Sequence, residues 1–205
     1  MSLEQLIFDV AGALRYPVLV LALASLAMVL IETGAFAVEV VRRRRRDTAR
    51  LERVAQTARR ALESGDLPAA RLALRQVAWS TAMASTLELI AERSRSGGGA
   101  DRVAKALADF DFASVRRLER TRVLVRAGPA LGLMGTLIPL APALAGLAQG
   151  DVAQLSRNLR IAFSVTVLGL IVGALAFAIS LVRDRLYGQD LSDLEFVAAT
   201  LEAPA

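Results

Sequence analysis

The run PVLVLALASLAMVLIETGAFAVEVV, residues 17–41, leaves almost no face that water would tolerate. A helix that crosses a bilayer needs about 20 mostly apolar residues. Two further runs meet that requirement, residues 127–149 and residues 159–182, the latter reading LRIAFSVTVLGLIVGALAFAISLV. Hydrocarbon offers no hydrogen bonds, so such runs must satisfy their own backbone and fold as helices. The expected fold class is an all-α membrane protein with three transmembrane helices, extended by further helices on one side. The first run is not read as a cleaved signal peptide, because it is too long and its basic cluster follows it.

The charges set an expected orientation. RRRRR, Arg42 to Arg46, follows the first run. Arg116, Arg117, Arg120, Arg122 and Arg126 precede the second, and Arg183 and Arg185 follow the third. The positive-inside rule puts all three clusters in the cytoplasm, with the N-terminus and the loop between the second and third runs outside. Residues 1–16 carry a helical stripe of Leu3, Leu6, Ile7, Val10 and Leu14, which fits a helix lying in the outer interface. Residues 42–126 form the expected cytoplasmic helical domain, residues 150–158 a short external turn, and residues 183–205 a cytoplasmic C-terminal helix opened by the capping-box spacing SDLE. Within the domain, one helix is expected over 48–64 and another from Asp66 to about Arg93. SRSGGGA (94–100) then breaks the chain, and Asp101 caps a helix that leads toward the second run.

Several chemistries are excluded. With no Cys and no His, the chain has no disulfide, no thiol nucleophile, no imidazole shuttle and no His-based metal site. No nucleophile–base pair or phosphate loop stands out, so no enzyme activity, cofactor or metal is expected. The net charge of +5 suits anionic lipid beside the domain. Few aromatics accompany it, so nucleic acid is not an expected partner.

The glycines carry the finer signal. Gly128, Gly132 and Thr136 recur every four residues in the second run. Ala162, Thr166, Gly169 and Gly173 share a face of the third. Small residues let membrane helices approach closely, which is one reading of both seams. The other reading is a narrow polar path lined by two hydroxyls, each able to donate and accept. Pro139 and Pro142 each remove a backbone donor, so a bend or loosening is expected near Gly135 to Ile138, as a tolerated kink or as a hinge. Glu32 lies in the inner half of the first run. It is a candidate proton-relay group, or it pairs with an arginine of the 42–46 cluster about 15 Å along the helix.

The segment RAGPALGLMGTLIPL…AGLAQGD followed by LRIAFSVTVLGLIVGALAFAISLV resembles the MotA/TolQ/ExbB proton-channel family. The resemblance spans Arg126 to about Arg185, and the size of the 42–126 domain is similar to the TolQ/ExbB class. It implies a homo-oligomeric ring, often a pentamer, in the inner membrane. The ring surrounds the single spans of a dimeric MotB/TolR/ExbD-like partner that brings a transmembrane aspartate. It also implies an ion channel, for protons with sodium as the alternative, that turns proton-motive force into mechanical work. Thr136 and Thr166 match the family's pore threonines, and Gly132, Gly135 and Gly169 accompany them on the implied path. Prolines 139 and 142 depart from the pattern, as do Val165 and Val167 beside Thr166. The competing expectation, from the small-residue seams alone, is a membrane scaffold without an ion path.

Overall fold

The computed structural model describes residues 2–43, 47–94 and 99–202. It contains seven helices over those residues: α1 (Leu3–Ala13), α2 (Arg15–Arg43), α3 (Thr48–Glu63), α4 (Leu67–Arg75), α5 (Thr81–Ser94), α6 (Ala100–Ala148) and α7 (Val152–Glu202). Among the described residues every regular element is helical. Three helical stretches are long and apolar enough to cross a membrane: Gln5–Arg43, Ala100–Ala148 and Val152–Glu202, with peak mean hydropathies of 2.2, 1.7 and 2.6. The chain divides into two compact units. One comprises residues 1–36 and 119–181, the other residues 37–118 and 182–205.

The first unit is built on an antiparallel α6–α7 hairpin. Its turn is short, because Gly150 takes a positive φ of 80° that a side chain would resist. The amide of Asp151 bonds back to Gly146 O at 2.9 Å and that of Gly150 to Leu147 O at 3.0 Å, a Schellman end to α6. The Asp151 carboxylate then accepts from Gln154 N at 2.8 Å, so it caps α7. The turn therefore occupies only residues 149–151, and α7 begins inside the stretch expected as an external loop over 150–158.

Below the turn the two helices touch through glycine. A Cβ on Gly128 would lie 2.7 Å from Gly169 O, and one on Gly169 would overlap Gly128 O and lie 2.8 Å from Gly132 Cα. One on Gly173 would lie 2.8 Å from the Pro129 ring. α2 packs onto this pair through Val29, which meets Leu124, Val172 and Ala176 in a fully enclosed cluster. Arg15 at the start of α2 donates to Asn158 Oδ1 of α7 at 3.3 Å. The outer faces stay apolar and uncovered, with Ile31, Leu133, Leu137, Phe163 and Phe177 all exposed. A soluble monomer does not carry so many exposed large apolar side chains together; hydrocarbon is the solvent that suits them.

The second unit has a conventional core. Leu51, Val54, Ala55 and Ala58 of α3 meet Ala70 and Leu74 of α4, Leu87 and Ile90 of α5, Val103 and Phe110 of α6, and Leu194, Val197 and Leu201 of α7. Asp47 caps α3 through Ala49 N and Asp66 caps α4 through Ala69 N, both at 3.0 Å. Gly65, with φ 82°, ends α3 in a second Schellman turn.

Three expectations need correction. The helix expected from Asp66 to Arg93 is two helices, because the chain turns over Gln76–Ser80 and Ser80 Oγ accepts from Met83 N at 3.1 Å to start α5. SDLE does not open a helix: α7 runs through it, held by Leu194 and Val197 in the core. α6 starts at Ala100, so Asp101 sits inside its first turn rather than capping it. α6 runs as one helix through Pro129, Pro139 and Pro142. Arg44 to Arg46 and most of SRSGGGA lie outside the described residues.

The glycine contact gives a direct test. Gly169→Ala should destabilise the α6–α7 pair by about 1–3 kcal/mol through overpacking. Gly34→Ala, whose Cβ would meet nothing within 4 Å, should leave the apparent melting temperature in detergent unchanged or slightly raised. Equal melting temperatures for the two variants would refute the contact.

Candidate functional site: the threonine seam

Thr166 sits where α6 and α7 come closest. Its hydroxyl donates to Ala162 O at 3.1 Å, one turn back on its own helix, and to Gly132 O across the seam at 3.3 Å. Thr136 lies one turn from Gly132 on α6 and donates to Leu133 O at 2.7 Å. Both side chains are half-buried. Each hydroxyl spends its proton on a backbone carbonyl, and each keeps lone pairs that can accept. Back-bonding of this kind is how a hydroxyl rests in an apolar helix, and it is readily exchanged for a better partner.

The glycines are placed differently from the threonines. Gly132, Gly135 and Gly169, expected along the path, are buried between α6 and α7 of one chain. A Cβ on Gly135 would overlap Val165, and one on Gly132 would lie 3.3 Å from Thr166 O. They set the helix separation that brings Thr136 and Thr166 within one turn of the same glycine. Pro139 is buried and Pro142 half-buried. Each lacks the amide that would bond four residues back, so the carbonyls of Gly135 and Ile138 lose their helical donors. Glu32 is half-buried on α2 and engaged in an interaction of its own.

With that geometry in view, the family can be stated. The profile of the MotA/TolQ/ExbB proton channel family matches residues 79–195. The chain belongs to this family. Membership indicates an ion-channel role in a multi-pass membrane protein, and the family is one of channels rather than enzymes. No curated protein matches the chain. The matched region is longer than the two glycine-bearing runs. It begins at Trp79 and ends at Glu195, and so takes in Trp79, Arg183, Tyr187 and Asp190, which belong to a second set of polar side chains.

That set lies in the second unit, past the apolar part of α7. Arg43 is buried and its guanidinium donates to Asp190 Oδ2 at 2.7 Å. Its other terminal nitrogen lies 3.6 Å from Glu39 Oε2, which also accepts from Arg183 Nε at 3.2 Å. Trp79 stacks 3.5 Å from the Arg43 guanidinium carbon, and the Tyr187 ring lies 5.5 Å away. Burial pushes the Asp190 carboxyl up to about 6, against the pull of the Arg43 hydrogen bond and charge. Burial also raises the Tyr187 hydroxyl, and the nearby Glu39 adds to that rise. No local motif marks these residues, because the Arg43–Asp190 pair joins positions 147 apart in the chain. The available signals were the run Arg42 to Arg46 and a lone Trp in the uncharged stretch VAWSTAMA.

An acid whose folded-state pKa is raised binds its proton more tightly when folded, so folding gains stability as pH falls through that pKa. Between pH 7 and pH 5 the gain for Asp190 is on the order of 1 kcal/mol, one pKa unit being worth 1.36 kcal/mol. Wild type compared with Asp190→Asn by chemical unfolding should show that difference. A pH-independent gap between the two proteins would show that Asp190 does not titrate in this range.

Proposed function

We propose that this chain is the ring-forming subunit of an inner-membrane motor driven by proton-motive force. Several copies, five in the arrangement typical of the family, enclose the single spans of a dimeric partner that resembles MotB, TolR or ExbD. The partner carries an aspartate in its span, which supplies the titratable acid that α6 and α7 lack along their apolar runs. The N-terminus and the α6–α7 turn face outward. The second unit and the C-terminal end of α7 face the cytoplasm, in keeping with the arginines at 42–46, 116–126 and 183–185. α1, with Leu3, Leu6, Ile7 and Val10 exposed, lies in the outer interface.

The observation that carries this reading is the pairing of family membership with two half-buried threonines beside one close helix contact. A proton arriving from outside neutralises the partner's carboxylate, which burial favours. It leaves toward the cytoplasm past Thr136 and Thr166, whose hydroxyls exchange their backbone acceptors for the carboxylate and then relax. The carbonyls released by Pro139 and Pro142 extend the polar edge, and the prolines give α6 a place to flex. Each elementary charge that crosses is worth about 2.3 kcal/mol per 100 mV, and alternating charge on the guest helix turns that energy into relative movement. Glu32, half-buried on α2, is a candidate relay group beside this path.

The test is proton flux in vesicles that contain the chain and its genetic neighbour. Thr136→Val with Thr166→Val keeps shape and removes both hydroxyls; flux should fall at least tenfold. Thr33→Val removes a hydroxyl that bonds Val29 O on α2 and should leave flux unaltered. Undiminished flux in the double variant, or no flux in any assembly, would favour a scaffold without an ion path. Replacing sodium for protons in the driving gradient identifies the ion.

A further inference from the structure

The Arg43 cluster contains donors that the protein leaves unused. Arg43 keeps only 5% of its side chain exposed, yet its Nε and one terminal nitrogen make no hydrogen bond. The Tyr187 hydroxyl is likewise buried without a partner. The Trp79 indole nitrogen has no well-formed hydrogen bond either, although it lies near enough to Asp190 to favour that carboxylate. Buried donors are normally satisfied, and leaving one unmade costs about 1–3 kcal/mol.

Of these residues, Arg43 and Trp79 border open space. A cavity of about 210 Å³ is lined by Arg42, Arg43, Arg50, Gln76 and Trp79, with the first turn of α3 at its edge. Two carboxylates also reach it. Asp47 is occupied as the cap of α3, and Asp193 has an interaction of its own. Arg43 is already paired with Asp190 and Glu39, so the charge open to a ligand comes from Arg42 and Arg50, and the amide ends of α3 add partial positive charge. An uncharged ligand would leave Arg42 and Arg50 unmatched. The volume exceeds that of a few waters and suits an oxyanion with a small substituent. The planar fork of Arg43, fixed by Asp190 on one side and Trp79 on its face, presents its remaining N–H groups as phosphate recognition requires.

We infer that this cavity binds a phosphate-bearing anion, held by Arg43, Arg42 and Arg50 against the Trp79 ring. The same chemistry belongs to an anionic phospholipid headgroup and to a soluble phosphate ester. The site is separate from the threonine seam, and its existence does not depend on ion conduction.

Trp79 is the chain's single tryptophan, so its fluorescence reports on this cavity without a label. The full-length oligomer in detergent is titrated with short-chain phosphatidylglycerol, short-chain phosphatidylcholine, glycerol phosphate and inorganic phosphate. We expect a saturable change in Trp79 emission with at least one phosphate-bearing anion. A response to phosphatidylglycerol alone identifies the lipid source, and one to the soluble phosphates identifies a free ligand. Arg43→Lys should weaken binding at least tenfold. Because that change touches the Asp190 pair, the double variant Arg42→Gln, Arg50→Gln serves as a second test. Both of its positions are exposed, and it too should weaken binding at least tenfold. Arg93→Gln, outside the cavity, should bind as wild type. No saturable response, an equal response to phosphatidylcholine, or unaltered binding in the double variant would overturn the inference.

Discussion

The close approach of α6 to α7 is the constraint on which the membrane half of this protein rests. Leucine packing gains little in hydrocarbon, because lipid tails are as apolar as leucine. What holds the hairpin is backbone-to-backbone proximity at Gly128, Gly132 and Gly169, where a single methyl would collide with a carbonyl or an α-carbon. That proximity has a chemical consequence. It lets the Thr166 hydroxyl reach Gly132 O across the seam, and it puts Thr136 one turn away. The glycines set the spacing, and the threonines supply the polarity.

The second unit solves a different problem. It buries two arginines and an aspartate beside a half-buried glutamate, Glu39, shared between Arg43 and Arg183. Removing charges from water is costly, and only mutual pairing with good hydrogen bonds offsets it. Here the offset is incomplete. Asp190 remains pushed upward and Arg43 keeps unpaired donors. Unspent donors beside a cavity make this cluster more than a brace for the helices that carry it.

Much of the architecture was legible because bilayer-spanning runs announce themselves by length and hydropathy alone. The threonines were legible through their spacing and a family motif. Other features were not, for physical reasons. A four-residue glycine repeat reveals that some backbone comes close, but not which one; here it is the neighbouring helix of the same chain. SDLE has the spacing of a helix start, but Leu191, Leu194, Val197, Ala198 and Leu201 form a stripe that packs into the core and carries α7 through it. The division of α4 from α5 rests on a single serine, Ser80, in a stretch whose apolar pattern does not change. Arg43, Trp79 and Asp190 meet only because two separate helices and a loop converge.

The central claim is that Thr136 and Thr166 border a hydrated path in the assembled protein. The chain has no native cysteine, so single cysteines can be placed without background. The most direct measurement is labelling of Thr136→Cys and Thr166→Cys by a small, membrane-impermeant thiol reagent in assembled vesicles, against Leu137→Cys, which replaces an exposed apolar side chain of α6. The account predicts rapid labelling at both threonine positions, slowed when the partner span is present, and none at Leu137. Labelling at Thr136 and Thr166 no faster than at Leu137 would contradict it.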